Sequence, residues 1–148
     1  PAYYKRTPPA QKVFQPECRS NVLQDCEPQH IVNAYDNAVR YTDSLLGQTV
    51  AWLKTQQRPT ALLYVSDHGE SLGEKNLYMH GLPTSIAPKE QLDIPFIVWV
   101  SKDAVQLKNS GILSQHHVFH SVLDFLDIES PIYDQSMSIY KPKKMATK

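Results

Sequence analysis

The sequence predicts an α/β fold, and its hydrophobic pattern carries that prediction. Two short apolar runs, at residues 61–65 and 94–100, lack the alternation of a half-exposed strand and predict β-strands covered on both faces. Apolar residues recur at three- and four-residue steps over residues 29–57 and about 115–127, which predicts two amphipathic helices. The order helix, strand, loop, strand, helix indicates a fragment of a layered α/β sheet, whose other strands are expected from elsewhere.

The composition indicates one globular domain. The chain has 148 residues, of which 41% are hydrophobic and 20% are charged, enough for one core. Its 15 Lys and Arg balance 15 Asp and Glu, which argues against nucleic-acid binding because phosphates need a basic field. No apolar run approaches the roughly 18 residues that span a bilayer, and no signal peptide is visible. Because the chain begins at Pro1, we expect that a preceding segment, with any anchor, has been lost.

Residues 1–28 are rich in proline and polar side chains, which predicts an ordered loop. This segment contains Cys18 and Cys26. A redox or metal pair is one interpretation, but the spacing is neither CxxC nor that of a zinc knuckle. We favour a loop-closing disulfide, which would stabilise the fold by roughly 2.5 kcal/mol in the chain-entropy model. Such a bond indicates an oxidising compartment such as a periplasm.

The remaining segments follow from breaks in the pattern. Pro59 ends the first helix, and a glycine- and proline-containing stretch at 69–93 predicts a long functional loop. We divide the chain into one region at 1–140 and a basic tail at 141–148, whose last residues are expected to be disordered.

Asp67 and His68 are the candidate metal ligands. They follow the first predicted strand directly, and ligands gather at the carboxyl ends of strands in α/β sheets. A carboxylate oxygen and an imidazole nitrogen together suit Zn²⁺. Neighbouring side chains of a straight strand point to opposite faces, so both reach one ion only if the chain turns, and Gly69 permits a turn. Glu70 is expected to orient His68 through its second ring nitrogen.

The other histidines divide into one candidate and several structural ones. His80 is either a further ligand or a donor to a bound phosphate oxygen, although a loop histidine bonded to backbone is the ordinary alternative. His116 and His120 have the i,i+4 spacing of a metal pair, but without an HExxH motif we favour surface or capping roles for them. The same holds for His117, and His30 is expected to be structural.

Several motifs together resemble the bacterial phosphoethanolamine transferases, which include the lipid A-modifying and mobile colistin-resistance enzymes. The similarity covers most of residues 1–127. The motifs that carry it are Phe14-Gln15-Pro16-Glu17-Cys18, Asn33-Ala34-Tyr35-Asp36-Asn37-Ala38, Tyr64-Val65-Ser66-Asp67-His68-Gly69-Glu70-Ser71-Leu72-Gly73-Glu74, Leu77-Tyr78-Met79-His80-Gly81-Leu82-Pro83 and Ile94-Pro95-Phe96-Ile97-Val98-Trp99-Val100-Ser101.

The resemblance implies an alkaline-phosphatase- or sulfatase-like α/β domain on the periplasmic side of the inner membrane. It implies zinc held partly by Asp67 and His68, with His80 near a second zinc or the substrate phosphate. The implied reaction moves phosphoethanolamine from phosphatidylethanolamine to a lipid A phosphate through a modified threonine. We expect a monomer, held at the membrane by helices that this chain lacks.

The sequence also differs from the family's pattern. The family's zinc-binding glutamate and nucleophilic threonine lie upstream of anything present here, and Thr42, Thr60 and Thr84 do not take the place of that threonine. We therefore expect the C-terminal part of such an enzyme, inactive by itself. Two alternatives stay open: a sulfatase- or phosphodiesterase-type metallohydrolase on the same fold, and a non-catalytic module whose basic tail contacts anionic lipid.

Overall fold

The computed structural model describes residues 3–102, 104–108 and 111–142. It has the predicted mixed α/β character. The helices and strands are α1 (Tyr3–Arg6), α2 (Pro28–Leu53), β1 (Ala61–Val65), β2 (Ser71–Leu72), β3 (Tyr78–Met79), α3 (Lys89–Leu92), β4 (Phe96–Val100) and α4 (His116–Leu126). The chain divides into a first unit of Pro1–Trp52 and His68–Ile94, and a second unit of Leu53–Asp67 and Pro95–Lys148. No helix among the described residues is long and apolar enough to cross a membrane.

Helix α2 is the longest element, and it ends earlier than predicted. It begins at Pro28, whose missing N–H costs nothing in the first turn. Its last residue is Leu53, where the sequence predicted helix to residue 57, and the N–H of Gln56 closes the final turn on the Leu53 carbonyl. Of the predicted apolar stripe, Ile31 is fully buried but Leu45 is 45% exposed. The stripe is therefore buried mainly near the start of the helix.

Two asparagines of α2 hold the segment before the first cysteine in place. Asn37 is fully buried; its Oδ1 accepts hydrogen bonds from the N–H groups of Val13 and Phe14, and its Nδ2 donates to the Phe14 carbonyl. One turn earlier, Asn33 donates to the carbonyl of Pro16 at 2.9 Å. These bonds satisfy a proline-rich backbone that has no strand or helix partner of its own. The predicted loop is thus ordered against the helix.

Glu17 is a buried carboxylate at the end of this segment. It accepts a hydrogen bond of 2.9 Å from Asn37 and forms an ion pair of 3.0 Å with Lys12. Burial acts to raise the pKa of Glu17, but the Asn37 hydrogen bond and the Lys12 charge outweigh it, so the pKa lies below its ordinary 4.5. A carboxylate with a lowered pKa stabilises the fold above pH 4.5, and this stabilisation is lost as the pH falls through the folded-state pKa.

The Glu17→Gln substitution is therefore expected to flatten the acid limb of the stability curve. The variant keeps a neutral group that bonds Asn37 but has no proton to gain, so its free energy of unfolding should change less below pH 4.5 than that of the parent chain. Urea denaturation at a series of pH values measures this difference. Parallel acid limbs in the two proteins would show that Glu17 does not titrate on unfolding.

The predicted disulfide is present and forms the centre of the first unit's core. Cys18 and Cys26 are bonded, and Cys18 packs with the buried Leu23 and Ile31. The N–H of Cys18 donates to the carbonyl of His30 at 2.9 Å, which ties the cysteine loop to the start of α2. Around this core lie partly buried side chains from three other segments: Tyr3, Leu72 and Tyr78.

The second unit is built on one antiparallel pair of long strands. β1 and β4 pair in the register Ala61↔Val100 to Val65↔Phe96. The prediction that both strands are covered on both faces is wrong for the described residues. β1 is half-buried throughout, and Ile97 on β4 is 44% exposed. Residues of α4 line a 250 Å³ cleft with Ala61 and Leu63 on one face of the strand pair, whereas Ile97 lies on the opposite face.

Helix α4 carries the C-terminal segment of the second unit. The Oγ of Ser121 donates to the His117 carbonyl and accepts from the N–H of Ile139. The helix ends at Leu126 and is capped by Asp127, which takes a left-handed φ of 58°. Of the tail predicted at 141–148, residues 143–148 lie outside the described residues. Its disorder stays a prediction.

Candidate metal centre

A short hairpin aligns two of the candidate site residues. β2 and β3 pair antiparallel with Ser71 opposite Met79. The next position outward in this register places Glu70 opposite His80. Gly73 permits the connecting turn because its φ of 128° lies in a region that other residues rarely adopt. The hairpin therefore brings together side chains ten positions apart in sequence.

Glu70, His80 and His68 form one cluster in the first unit. The Glu70 carboxylate oxygens lie 3.3 and 3.4 Å from Nδ1 of His80. The imidazole rings of His68 and His80 stack, with their centroids 3.5 Å apart and an angle of 27° between their planes. Each residue offers a ligand atom, and these atoms all lie within 4.8 Å of one another. Such a set of two imidazoles and a carboxylate suits Zn²⁺.

The backbone determines which nitrogen of His68 faces away from the chain. Nδ1 of His68 lies 2.7 Å from the Gly69 carbonyl oxygen, which can only accept a hydrogen bond. The neutral ring therefore carries its proton on Nδ1 and its lone pair on Nε2. A histidine that donates one ring N–H to a carbonyl while the other nitrogen ligates is the usual arrangement at metal sites.

Glu70 differs from its predicted role. The sequence predicted that it orients His68, but the Gly69 carbonyl is the contact of His68 Nδ1, and the Glu70 carboxylate lies beside His80. The register of the β2–β3 hairpin is the reason, because it sets Glu70 opposite His80. The Glu70 side chain is only 9% exposed, whereas that of His80 is 38% exposed. The Glu70 carboxylate is thus more deeply buried than the His80 ring.

Tyr3 contributes to the surroundings of Glu70. Its ring meets Tyr35 edge-on at 5.6 Å, and its hydroxyl is buried close enough to the Glu70 carboxylate to interact with it. Burial raises the pKa of Tyr3, and the negative charge of Glu70 raises it further. The hydroxyl therefore stays protonated near the carboxylate. Nothing in the sequence pattern singled out Tyr3.

Gln91 and Gly69 hold the site segments in position. Gln91 is 5% exposed; its Nε2 donates to Oγ of Ser71, and its Oε1 accepts from the N–H of Leu82 at 3.4 Å. The N–H of Gly69 donates to the Gln91 carbonyl at 3.0 Å. A β-carbon on Gly69 would lie 2.1 Å from the carbonyl oxygen of Glu90. Gly69 was predicted to allow a turn, but what it provides in the structure is close backbone approach.

The Gly69→Ala substitution is expected to destabilise the first unit and weaken the site. The added methyl would overlap a backbone carbonyl that no side-chain rotation can move, and such overpacking typically costs about 1–3 kcal/mol. Thermal denaturation followed by circular dichroism measures the loss. Gly47→Ala is the matched control, because nothing lies within 4 Å of a β-carbon built there and the helix gains a better former. Equal stability of the two variants would contradict the close-approach argument.

Asp67 belongs to the second unit, at the carboxyl end of β1. It is exposed, and its carbonyl accepts a hydrogen bond of 2.8 Å from Gln115, which also binds the carbonyl of Ser66. β4 runs antiparallel to β1 and begins where β1 ends, so the carboxyl ends of the two strands lie at opposite ends of the pair. The assignment of Asp67 as a ligand stays a prediction.

His117 and His120 make structural contacts with the segments before and after α4. Nδ1 of His117 accepts from the N–H of Ser114 just before α4, and Nδ1 of His120 accepts from the N–H of Asp134 at 3.0 Å. Among the described residues, the metal-compatible cluster contains His68 and His80 and none of the other histidines.

Comparison with known proteins places the chain in a family. The sulfatase family model matches residues 1–128. The chain belongs to the sulfatase family. Within it, the chain is 41% identical over 151 residues to phosphoethanolamine transferase EptA of Helicobacter pylori, covering 97% of the chain and 29% of that relative. It is 39% identical over 132 residues to phosphatidylethanolamine transferase Mcr-1 of Escherichia coli, covering 86% of the chain and 24% of that relative.

Solved structures of phosphoethanolamine transferase domains are also similar to the chain. The chain superposes with a TM-score of 0.84 and 37% identity on the C-terminal periplasmic domain of phosphoethanolamine transferase EptC from Campylobacter jejuni, covering 94% of the chain and 47% of that domain. For the soluble domain of lipooligosaccharide phosphoethanolamine transferase A from Neisseria meningitidis the TM-score is 0.85 at 36% identity, with 95% and 46% covered. These relatives confirm the resemblance predicted from the sequence.

Proposed function

We propose that this chain contributes part of the metal centre of a phosphoethanolamine transferase. The observation that carries the proposal is the convergence of His68, Glu70 and His80 in a chain whose relatives bear that name. The donor we propose is phosphatidylethanolamine, and the acceptor is a phosphate of lipid A or a related envelope glycan. Because the chain spans 29% of the Helicobacter relative, the activity proposed is that of the whole protein.

Zinc is the metal we propose, with Asp67 and His68 as ligands and His80 at a second metal or at the substrate phosphate. When bound, the metal would neutralise phosphoryl charge. His68 is prepared for ligation because the Gly69 carbonyl holds its Nδ1 proton and leaves the lone pair on Nε2. The Glu70 carboxylate beside Nδ1 of His80 orients that ring in the same way. No residue of this chain is assigned as nucleophile.

The compartment and assembly we propose follow the predicted ones. The disulfide between Cys18 and Cys26 supports an oxidising compartment, and a location on the periplasmic side of the inner membrane agrees with it. The two relatives of known structure are described as a periplasmic domain and a soluble domain of such transferases. We propose a monomer that meets its lipid substrates at the membrane surface.

Zinc affinity tests the metal assignment directly. Replacing His68 or His80 with Ala is expected to weaken Zn²⁺ binding by about 10–100-fold, because each substitution removes an imidazole that either ligates the metal or orients a ligand. Calorimetric titration of the folded chain with Zn²⁺ measures the change. His116→Ala is the control, since this exposed histidine lies outside the cluster. Equal affinities of the His80 and His116 variants would remove His80 from the site.

A chimera tests the reaction. The chain would replace the stretch of the Helicobacter transferase that aligns with it at 41% identity. The chimera is expected to add phosphoethanolamine to lipid A, and mass spectrometry of extracted lipid A detects the added mass. His80→Ala in the chimera should abolish the product, while His116→Ala should not. A folded chimera that binds zinc yet leaves lipid A unmodified would contradict the transferase assignment.

A second candidate reaction is hydrolysis, and the sulfatase family match is the observation that favours it. A metallohydrolase would pass the phosphoryl or sulfuryl group to water instead of to a glycan. The chimera separates the two reactions, because hydrolysis releases a soluble product and leaves the mass of lipid A unchanged.

A further inference from the structure

A second concave site lies in the second unit. It is a groove of about 660 Å³ beside the start of β1 and the end of β4. Its volume falls within the range of small-molecule sites. The lining comes from the segment after α2 and from the residues that end and follow β4. It includes Lys54, Gln57, Arg58, Trp99, Ser101 and Lys102.

The charge of the groove is positive. Three of its lining residues, Lys54, Arg58 and Lys102, are exposed cations, and no acidic side chain lines it in the described part of the chain. Within the same described part, none of the three forms an ion pair. The guanidinium of Arg58 offers paired donors whose geometry matches phosphate oxygens. The groove is thus suited to an anion that the described residues do not themselves supply.

An aromatic side chain and an amide lie beside these cations. Trp99 is half-buried in β4 opposite Leu62, so its backbone is held by the strand pair. A tryptophan face is a good surface for the apolar side of a sugar ring, and Gln57 adds an exposed amide for hydroxyl groups. A bare phosphate would use the cations alone. A phosphorylated sugar would use the whole lining.

The groove is built on ordered backbone. The N–H of Ser101 donates to the Thr60 carbonyl at 2.9 Å, and the Oγ of Ser101 accepts from the N–H of Thr60 at 3.1 Å. The first bond continues the backbone pairing of β1 and β4 beyond Ala61 and Val100, and the second ties the Ser101 side chain to the same place. Site residues carried by such a ladder are held with less freedom than residues on an isolated loop.

The groove is separate from the candidate ligand Asp67 in the same unit. Asp67 follows the carboxyl end of β1, whereas the groove lies at its amino end, so the five residues of the strand separate them by about 16 Å. This inference therefore does not depend on the proposed transferase activity.

We propose that this groove binds a phosphorylated sugar, with the phosphate at Lys54, Arg58 and Lys102 and the sugar ring on Trp99. The phosphate can come from a soluble sugar phosphate or from the headgroup of a phosphorylated glycolipid. Both sources present the same chemistry to the groove.

Tryptophan fluorescence of the full chain tests the proposal. The sequence has two tryptophans, so Trp52→Phe leaves Trp99 as the reporter. Titration with glucose 1-phosphate is expected to shift Trp99 emission and to show tighter binding than glucose or inorganic phosphate. Vesicles that carry a phosphorylated glycolipid, compared with vesicles of its dephosphorylated form, distinguish a membrane source from a soluble one; tighter binding to either phosphorylated probe supports the proposal.

Matched charge variants complete the test. Arg58→Gln with Lys102→Gln should weaken glucose 1-phosphate binding about tenfold or more, as expected for lost hydrogen bonds between charged groups. Arg40→Gln with Lys89→Gln removes the same charge at exposed positions outside the groove and should leave affinity unchanged. Circular dichroism confirms that both double variants fold. Equal weakening by the two pairs, or no binding of either phosphorylated probe by the parent chain, would overturn the proposal.

Discussion

The pairing of β2 with β3 is the constraint on which the candidate metal centre depends. Its register places Glu70 across from His80, and the stacking of His80 on His68 completes the cluster. A two-stranded hairpin of this length is not stable by itself in water. Its stability must come from packing, and Leu72 and Tyr78 supply it by contacting the core around the disulfide. The chemistry of the site thus rests on the cysteine loop.

Buried polar side chains connect these parts of the first unit. Asn37 holds the proline-rich backbone before Cys18, and Gln91 links β2 to the residue two positions after His80. Such groups are costly to bury unless every hydrogen bond is made, so they favour a single arrangement over a loosely packed one. Most of the first unit's apolar side chains are partly buried or exposed, which gives these polar contacts a large share in determining its conformation.

The candidate metal-binding residues and the positively charged groove lie in different units of the chain. In the first unit, two histidines and a carboxylate that could hold a divalent cation lie close together. In the second unit, three cations and a tryptophan line a groove at the amino end of β1. If the groove binds a phosphorylated sugar, that binding energy comes from residues other than those proposed for the chemistry. Interactions away from the reacting atoms can position a substrate without taking part in the reaction.

The sequence by itself determined the two long helices, the two long strands, the cysteine pair and the candidate site residues, because periodicity, proline positions and short motifs are local properties. It predicted only a loop at 69–93, where the structure forms β2, β3 and α3. It predicted β1 and α4 nearly to the residue, and the family resemblance pointed to His68 and His80. Only the tertiary structure decided that β1 and β4 run antiparallel, that Glu70 lies beside His80, and that Gly69 serves close approach. Those outcomes depend on strand register and on contacts between distant segments, and no local pattern encodes which residues a strand will face.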